Sequence, residues 1–240
     1  MTVLLCSEGD KQDRVTLRHI LRHFGTKPGD MALISPFPQL SRLLAASKFT
    51  SCIKSHRMLS SEPFREPIHI LGGGSIGLLL ASSIRQVYPS YPVRVILRES
   101  HRPHISKDRI AVCVEVHGRF RTGPDIPVEI EGSRSISNLV VATKAMHARQ
   151  AIDSIKRRIS DKTRIFLFCN GALAVRDELA EFPNLHTVLT TQGAYRDGIE
   201  DGLYHVVHAG HGHTLVEKHI DFANFLTAVG WTAESRESLD

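Results

Sequence analysis

Residues 68–84 read IHILGGGSIGLLLASSI, and the way this stretch folds decides how the rest of the chain is read. The apolar run Ile68 to Leu71 has the length of a short buried strand. Glycines break it, and SIGLLLASSIRQVY then places apolar residues at helical spacing. Gly72-x-Gly74-x-x-Gly77 therefore lies directly after a strand and opens a helix, where a dinucleotide-binding fingerprint has to lie. In that setting Gly72 makes the tight turn, Gly74 lets the backbone approach a pyrophosphate, and Gly77 permits close helix–strand packing. The helix N-terminus adds N–H groups and the positive end of its dipole. The candidate cradle is Gly72, Gly73, Gly74, Ser75, Ile76 and Gly77. Plain turn glycines are the alternative, and the strand–turn–helix–strand order argues against them.

Working outward, the next strand ends in VRVILRES. An NAD-binding chain usually carries Asp or Glu at this tip, about 20 residues past the glycines, for the ribose 2′-hydroxyl. Here Arg98 arrives first and Glu99 second. A guanidinium at that position pairs with a 2′-phosphate and stacks on adenine, with Arg102 as a helper, so NADP is favoured over NAD. A register one residue different would turn Glu99 to the ribose.

Further along, RIAVCVEVHG alternates like a sheet strand, NLVVAT is a core strand, and MHARQAIDSIKRRI is a helix. RIFLFC, a helix around ALAVRDELAEF, the strand HTVLTT, a hairpin region around GLYHVVHAGHGHTLVE and the helix DFANFLTAVG follow. Strands alternating with helices predict an α/β fold: a Rossmann-type, doubly wound, mostly parallel sheet with helices on both faces. The expected organisation is an N-terminal extension over 1–66, a dinucleotide-binding domain over 67–231 and a tail over 232–240. Between Met31 and Ser61 there is no acidic residue, but there are Arg42, Lys48, Lys54 and Arg57. This acid-poor, Ser-rich segment resembles a mitochondrial transit peptide, although Glu8, Asp10, Asp13 and Asp30 precede it. A disordered tail and a cytoplasmic location are the alternative.

A hydrophobic content of 42% over 240 residues supports a full core, and a net charge of +5 suits an anionic ligand. The cations form no single basic run and aromatics are few, which argues against nucleic acid; no apolar run approaches membrane-spanning length. Cys6, Cys52, Cys113 and Cys169 are far apart and read as reduced, structural thiols. His205, His208, His211 and His213 invite a metal, but no Cys or acidic ligand stands among them in the sequence. KRRISDKTR reads as a helix end and a solvated loop.

Several of these motifs, in order, resemble the ketopantoate reductase (2-dehydropantoate 2-reductase) family. They are the glycine fingerprint, ILR at the second strand, NLVVATKAMHARQAI, RIFLFCNGALAVRDEL and TTQGAYRDGIEDGLYHVVHAGHG, together spanning roughly 68–231. The resemblance implies NADP(H) as cofactor, with Lys144 and Asn170 lining its cleft, Asn170 also reaching the substrate, and Ala194 bordering the nucleotide. Lys144 and Asn170 each follow a core strand, and the carboxyl ends of such strands form the ligand crevice. Thr190 and Thr191 end a further strand and are candidates to line the same cleft. The implied reaction is NADPH-dependent reduction of 2-dehydropantoate to pantoate, on the route to pantothenate and coenzyme A. The resemblance puts no metal at the histidines. It places the proton-donating lysine and most substrate contacts in a second, all-helical domain. After Trp231 nine residues remain, and no lysine follows Lys218, so that catalytic lysine is expected to be absent from this chain. The expectation is weak or no turnover by this polypeptide alone, and an uncovered face that implies either a homodimer or marginal solubility. Two readings stand beside the enzyme: a module that holds NADP(H) without turnover, and a redox-sensing regulator.

Overall fold

A computed structural model describes residues 66–200 and 202–239, all within one compact unit. The readings of 1–65 as an extension or targeting segment, with Cys6 and Cys52, lie outside the described residues.

The fold grows from β1 (Ile68–Leu71), whose four residues are all buried. The chain leaves it through the glycines into helix α1 (Ser75–Val87) and returns as β2 (Val93–Ile96), parallel to β1 and in register Ile68 with Val93. It then builds outward through β3 (Arg109–Val116), β4 (Arg119–Thr122) and β5 (Ile126–Glu129), with β5 parallel to β2. Next it crosses to the opposite side of β1, where β6 (Asn138–Val141) pairs with β1 in parallel. Helix α2 (Ala148–Ser154), strand β7 (Arg164–Phe168), helix α3 (Ala172–Arg176) and strand β8 (Leu185–Thr190) continue that wing, again in parallel. Strands β9 (Gly193–Glu200) and β10 (Leu203–Gly210) form a hairpin on the far wing, with β10 along β3. Then β11 (His213–Glu217), helix α4 (Ile220–Ala228) and β12 (Thr232–Arg236) finish on the other side, where β11 lies along β8. The order is β12-β11-β8-β7-β6-β1-β2-β5-β3-β10-β9, with β4 on β3. The sheet is mostly parallel, as the alternating strands and helices predict, and the chain reverses direction of growth at β1.

Two apolar layers cover the sheet. On one face Ile68, Ile70, Val140, Phe166 and Phe168 pack with Leu78, Leu80 and Ile84 of α1 and Phe222, Phe225 and Leu226 of α4. On the other, Leu71, Leu139, Val141, Ile165 and Leu167 meet Ala148 and Ile152 of α2 and Ala172 of α3. Each fully buried Leu, Ile or Phe contributes roughly 1.5–3 kcal/mol, so this two-sided burial stabilises the sheet. No described helix is long and apolar enough to cross a membrane.

Four expectations are corrected. The helix read over MHARQAIDSIKRRI is only α2 with short 3-10 turns at Ala145–His147 and Lys156–Arg158 on either side, because the backbone leaves helical geometry at Ile155. The helix around ALAVRDELAEF is likewise short, passing into a 3-10 turn at Asp177–Leu179. Arg158, read as solvated, is 6% exposed and pairs with Glu129 at 2.6 Å, a long-range contact without a sequence signal. Thr232–Arg236, assigned to the tail, is strand β12 paired with β11. Its residues are half-buried or exposed, so no apolar run announces it.

Candidate functional site

The direction of growth reverses between β1 and β6, and the crevice at such a switch point is where an open α/β sheet takes its ligand. The glycine turn sits there. Gly72 has φ +122°, and a Cβ on it would stand 2.7 Å from the Ala142 carbonyl oxygen at the end of β6. A Cβ on Gly77 would overlap the Gly72 carbonyl oxygen and crowd Ile70. Both glycines are therefore required by close approach, the first at the turn and the second where α1 crosses β1. Gly74 differs. It is exposed, precedes α1 in extended conformation, and has only the Ala142 oxygen at 3.7 Å near a would-be Cβ. Space is thus left open over the N-terminus of a thirteen-residue helix that has no acidic residue in its first turn.

Ser75 spends its hydroxyl on the Ala194 carbonyl, 3.0 Å away on β9. The Ile76 side chain packs into the core, so Ile76 faces the turn with its backbone only. Gly73 lies against Leu97, whose Cδ2 would be 2.5 Å from a Cβ there, and its carbonyl accepts a hydrogen bond from Arg196 Nη1 at 3.1 Å.

Arg98 is exposed and lies one residue beyond Leu97, which follows β2, at the entry to a 3-10 turn over Glu99–His104. His101 Nδ1 and the Tyr204 hydroxyl, 2.8 Å apart, tie this turn to β10, and their rings stack. Burial pushes the His101 imidazole below its ordinary pKa, and the nearby Arg196, His104 and Arg98 charges push the same way. These cations share one electrostatic neighbourhood beside the glycine turn. Glu99 does not join it as a free carboxylate: Arg102 grips it through Nε and Nη2, which holds its pKa below the usual carboxylate range.

Lys144 and Asn170 are exposed and follow the ends of β6 and β7. Gly171, at φ +85°, starts α3, and a Cβ on it would touch the Ala145 Cβ at 3.4 Å. The Lys-Ala and Asn-Gly turns are therefore neighbours, although 26 residues separate Lys144 from Asn170 in the chain. Thr143 lies between Gly72 and Lys144, and its buried Oγ1 has no hydrogen-bond partner among the described residues.

The structure brings the fingerprint, Ala194 and the Lys144 and Asn170 turns to one edge of the sheet. Thr190 and Thr191 are otherwise engaged. Thr190 Oγ1 bonds Thr214 Oγ1 at 3.0 Å, and Thr191 Oγ1 accepts from His213 N at 2.9 Å, so both fasten β8 to β11. The histidines disperse as well. His205 lies between Glu115 and Asp197 at 3.4 and 3.3 Å, whereas His208 bonds Gln192 at 2.9 Å with His211 edge-on to its ring. Two acids thus stand beside His205 that the neighbouring sequence does not show, since Glu115 comes from another strand. Cys113 and Cys169 are buried free thiols with pKa values raised by burial. Sequence reasoning missed Arg196, His101 and Tyr204. Arg196 stands inside the Arg-Asp-Gly series that carried the resemblance, but nothing local says where it points.

Comparison with known proteins extends these observations. Residues 68–220 match the family model described as ketopantoate reductase PanE/ApbA. A probable 2-dehydropantoate 2-reductase of Schizosaccharomyces pombe is 25% identical over 169 residues, covering 63% of this chain and 46% of that protein. The chain thus spans about half the length of this curated relative. Among solved structures, a ternary complex of D-mandelate dehydrogenase with NADH and anilino(oxo)acetate has a TM-score of 0.61 at 19% identity, over 72% of this chain and 57% of that one. A PanE/ApbA family ketopantoate reductase from Ralstonia eutropha JMP134 has a TM-score of 0.61 at 16% identity, with the same coverage. At these identities the structural likeness speaks for the fold. The sequence match runs from the first residue of β1 to the first residue of α4, through every strand end that builds the crevice, and the chain belongs to the ketopantoate reductase PanE/ApbA family.

Proposed function

We propose that this chain holds NADP(H) across the switch point and serves the NADPH-dependent reduction of 2-dehydropantoate to pantoate. The observation that carries the reading is the glycine turn: Gly72 and Gly77 have no room for a side chain, Gly74 lies open, and the N-terminus of α1 faces outward. The residues present fit a dinucleotide. Backbone N–H groups at the start of α1 would take the diphosphate, Lys144 and Ala194 would border the nucleotide, and Asn170 would reach both nicotinamide and substrate. When bound, the reduced cofactor supplies a hydride to a keto carbon. Lys144 and Asn170 would contribute charge and hydrogen bonding where the substrate oxygen gains electron density. No residue of this chain is assigned as the proton donor.

Arg98 is the specificity residue in this reading. A D-mandelate dehydrogenase of the same fold forms a complex with NADH, and in this fold the residue at the tip of β2 separates NADP from NAD. There Arg98 is exposed and Glu99 is already bound by Arg102, an arrangement suited to a 2′-phosphate and poor for a ribose hydroxyl.

Purified protein titrated with NADPH and NADH, then mixed with 2-dehydropantoate while the reduced nicotinamide absorbance is followed, tests the proposal. NADPH binding is expected, with weak turnover at most, because no residue of this chain is assigned as the proton donor. Binding without turnover with this acid would leave a nucleotide-holding module, and absence of binding would end the cofactor reading. Arg98→Ala is expected to weaken NADPH roughly tenfold while sparing NADH; equal losses would remove the 2′-phosphate role.

A further inference from the structure

We propose that Arg196 is a diphosphate-binding residue of this cradle, aimed at it by a β-bulge in the hairpin. The inference rests on the dinucleotide reading above and adds a residue that the fingerprint does not contain.

The argument begins with strand register. Along β9 and β10, Ile199 pairs with Tyr204 and Gly198 with His205, but the next pair is Arg196 with Val206. Asp197 is therefore an extra residue, and the register shifts between His205 and Val206. Directly opposed residues on antiparallel strands share a face, and a one-residue slip reverses the face of all that follows. Without the bulge, Arg196 would oppose Val207 and point away from α1. With it, Arg196 opposes Val206, which is fully buried in the layer that α1 covers. Asp197 goes to the other side and meets His205 at 3.3 Å. The bulge thus sorts an Arg-Asp pair, sending the cation towards the glycine turn and the anion away from it. Bulges are known devices for re-aiming side chains beside sites.

Two contacts show where the cation arrives. Arg196 Nη1 donates to the Gly73 carbonyl at 3.1 Å, within the turn that presents the N–H groups of α1. Two residues back along β9, the Ala194 carbonyl accepts from Ser75 Oγ at 3.0 Å, so this part of β9 is fastened to the start of the helix. The Arg196 charge also bears on His101, in the turn that follows β2, adding to burial in holding its pKa down. The side chain is exposed, and among the described residues it has no carboxylate partner. A guanidinium carries five N–H donors in a planar fork; one holds the loop, and the fork as a whole matches phosphate oxygens. Its place at the glycine turn, where Arg98 stands at the tip of β2, gives the two arginines separate tasks. Arg196 serves the diphosphate common to all dinucleotides, and Arg98 serves the 2′-phosphate.

The test uses the whole chain and calorimetric titration with four probes: NADPH, NADH, ADP-ribose and adenosine 2′-monophosphate. Arg196→Ala is expected to weaken the first three alike, roughly tenfold, and to leave adenosine 2′-monophosphate unchanged. Arg98→Ala should spare NADH and ADP-ribose. Arg196→Gln retains a donor for the Gly73 carbonyl but no charge, so it should lose affinity as Arg196→Ala does, while Arg196→Lys recovers part of it. Thermal unfolding of each unliganded variant checks that the hairpin is intact, and Arg196→Gln carries the comparison if Arg196→Ala unfolds. A loss confined to NADPH, or unchanged affinities in both Ala and Gln variants, overturns the assignment. Failure of the unaltered protein to bind any of the dinucleotide probes sinks the cofactor reading itself.

Discussion

The inner strands β1, β2, β6 and β7 and the outer strands β3, β4, β9 and β10 belong to one sheet but are built differently. The inner strands are nearly all buried, apolar towards both helical layers, and parallel, so only their carboxyl ends are available for chemistry. The outer strands turn back as antiparallel pairs, expose Arg119, Arg121, Tyr195 and Arg196, and bury His205 among acids. A ligand site assembled from both therefore takes backbone geometry from the centre and charged side chains from the edge. The same division says where substitutions act: central ones on stability, peripheral ones on recognition.

The largest effect is expected at the buried ion pair that closes the centre. Glu129 bonds Arg158 at 2.6 Å and lies 3.5 Å from Arg94, and the Arg158 side chain is 5% exposed. Glu129→Ala leaves that guanidinium buried without its anion and is expected to cost roughly 3–5 kcal/mol in urea unfolding. The exposed Glu99–Arg102 pair at the rim should behave in the opposite way, with Glu99→Gln leaving the unfolding midpoint unmoved. Similar losses at both pairs would erase the distinction between centre and edge.

His69, inside β1, gives a pH test. Burial lowers its pKa to about 4 from the ordinary 6.5, and Nδ1 has no hydrogen-bond partner among the described residues. Above pH 6.5 the imidazole is neutral both folded and unfolded, and stability is undiminished. As pH falls from 6.5 towards 4, the unfolded chain takes up the proton first, so stability is lost, by about 3 kcal/mol for this one group. His101, His186, His208 and His219 are shifted in the same direction, so the comparison is with His69→Leu. That variant should lose distinctly less stability between pH 7 and pH 4; parallel pH profiles would refute the assignment.

The smallest and most local contrast lies within the glycine turn. Gly77→Ala forces a methyl group onto the backbone oxygen of Gly72 and should destabilise by about 1–3 kcal/mol. Gly74→Ala meets only the Ala142 oxygen at 3.7 Å, so unfolding should change by less than about 0.5 kcal/mol while dinucleotide affinity falls. Equal stability losses would show that both glycines serve packing alone.

Much of the centre was legible because its physics is local. IHIL, NLVVA and RIFLF are apolar runs of strand length, and Gly72 and Gly77 are spaced for a turn and a helix crossing. The tips carrying Arg98, Lys144 and Asn170 follow from where those runs end. The edge was less legible, and so were long-range pairs at the centre. Glu115 reaches His205, and Arg158 reaches Glu129, across separations that no periodicity encodes. Thr190 and Thr191 have the polarity of cleft residues, but the arrival of β11 beside β8 claims both hydroxyls. β12 escaped notice because a half-exposed edge strand needs no apolar run.

The sequence by itself determined the alternation of strands and helices, the glycine turn and the residues at the inner strand tips, since burial on both faces and tight turns demand particular residue types. Only the tertiary structure decided which outer strand lies against the start of α1 and on which side Arg196 stands. Pairing partners and register are long-range choices, and a single bulged residue at Asp197 reverses the direction of a side chain without leaving a local mark.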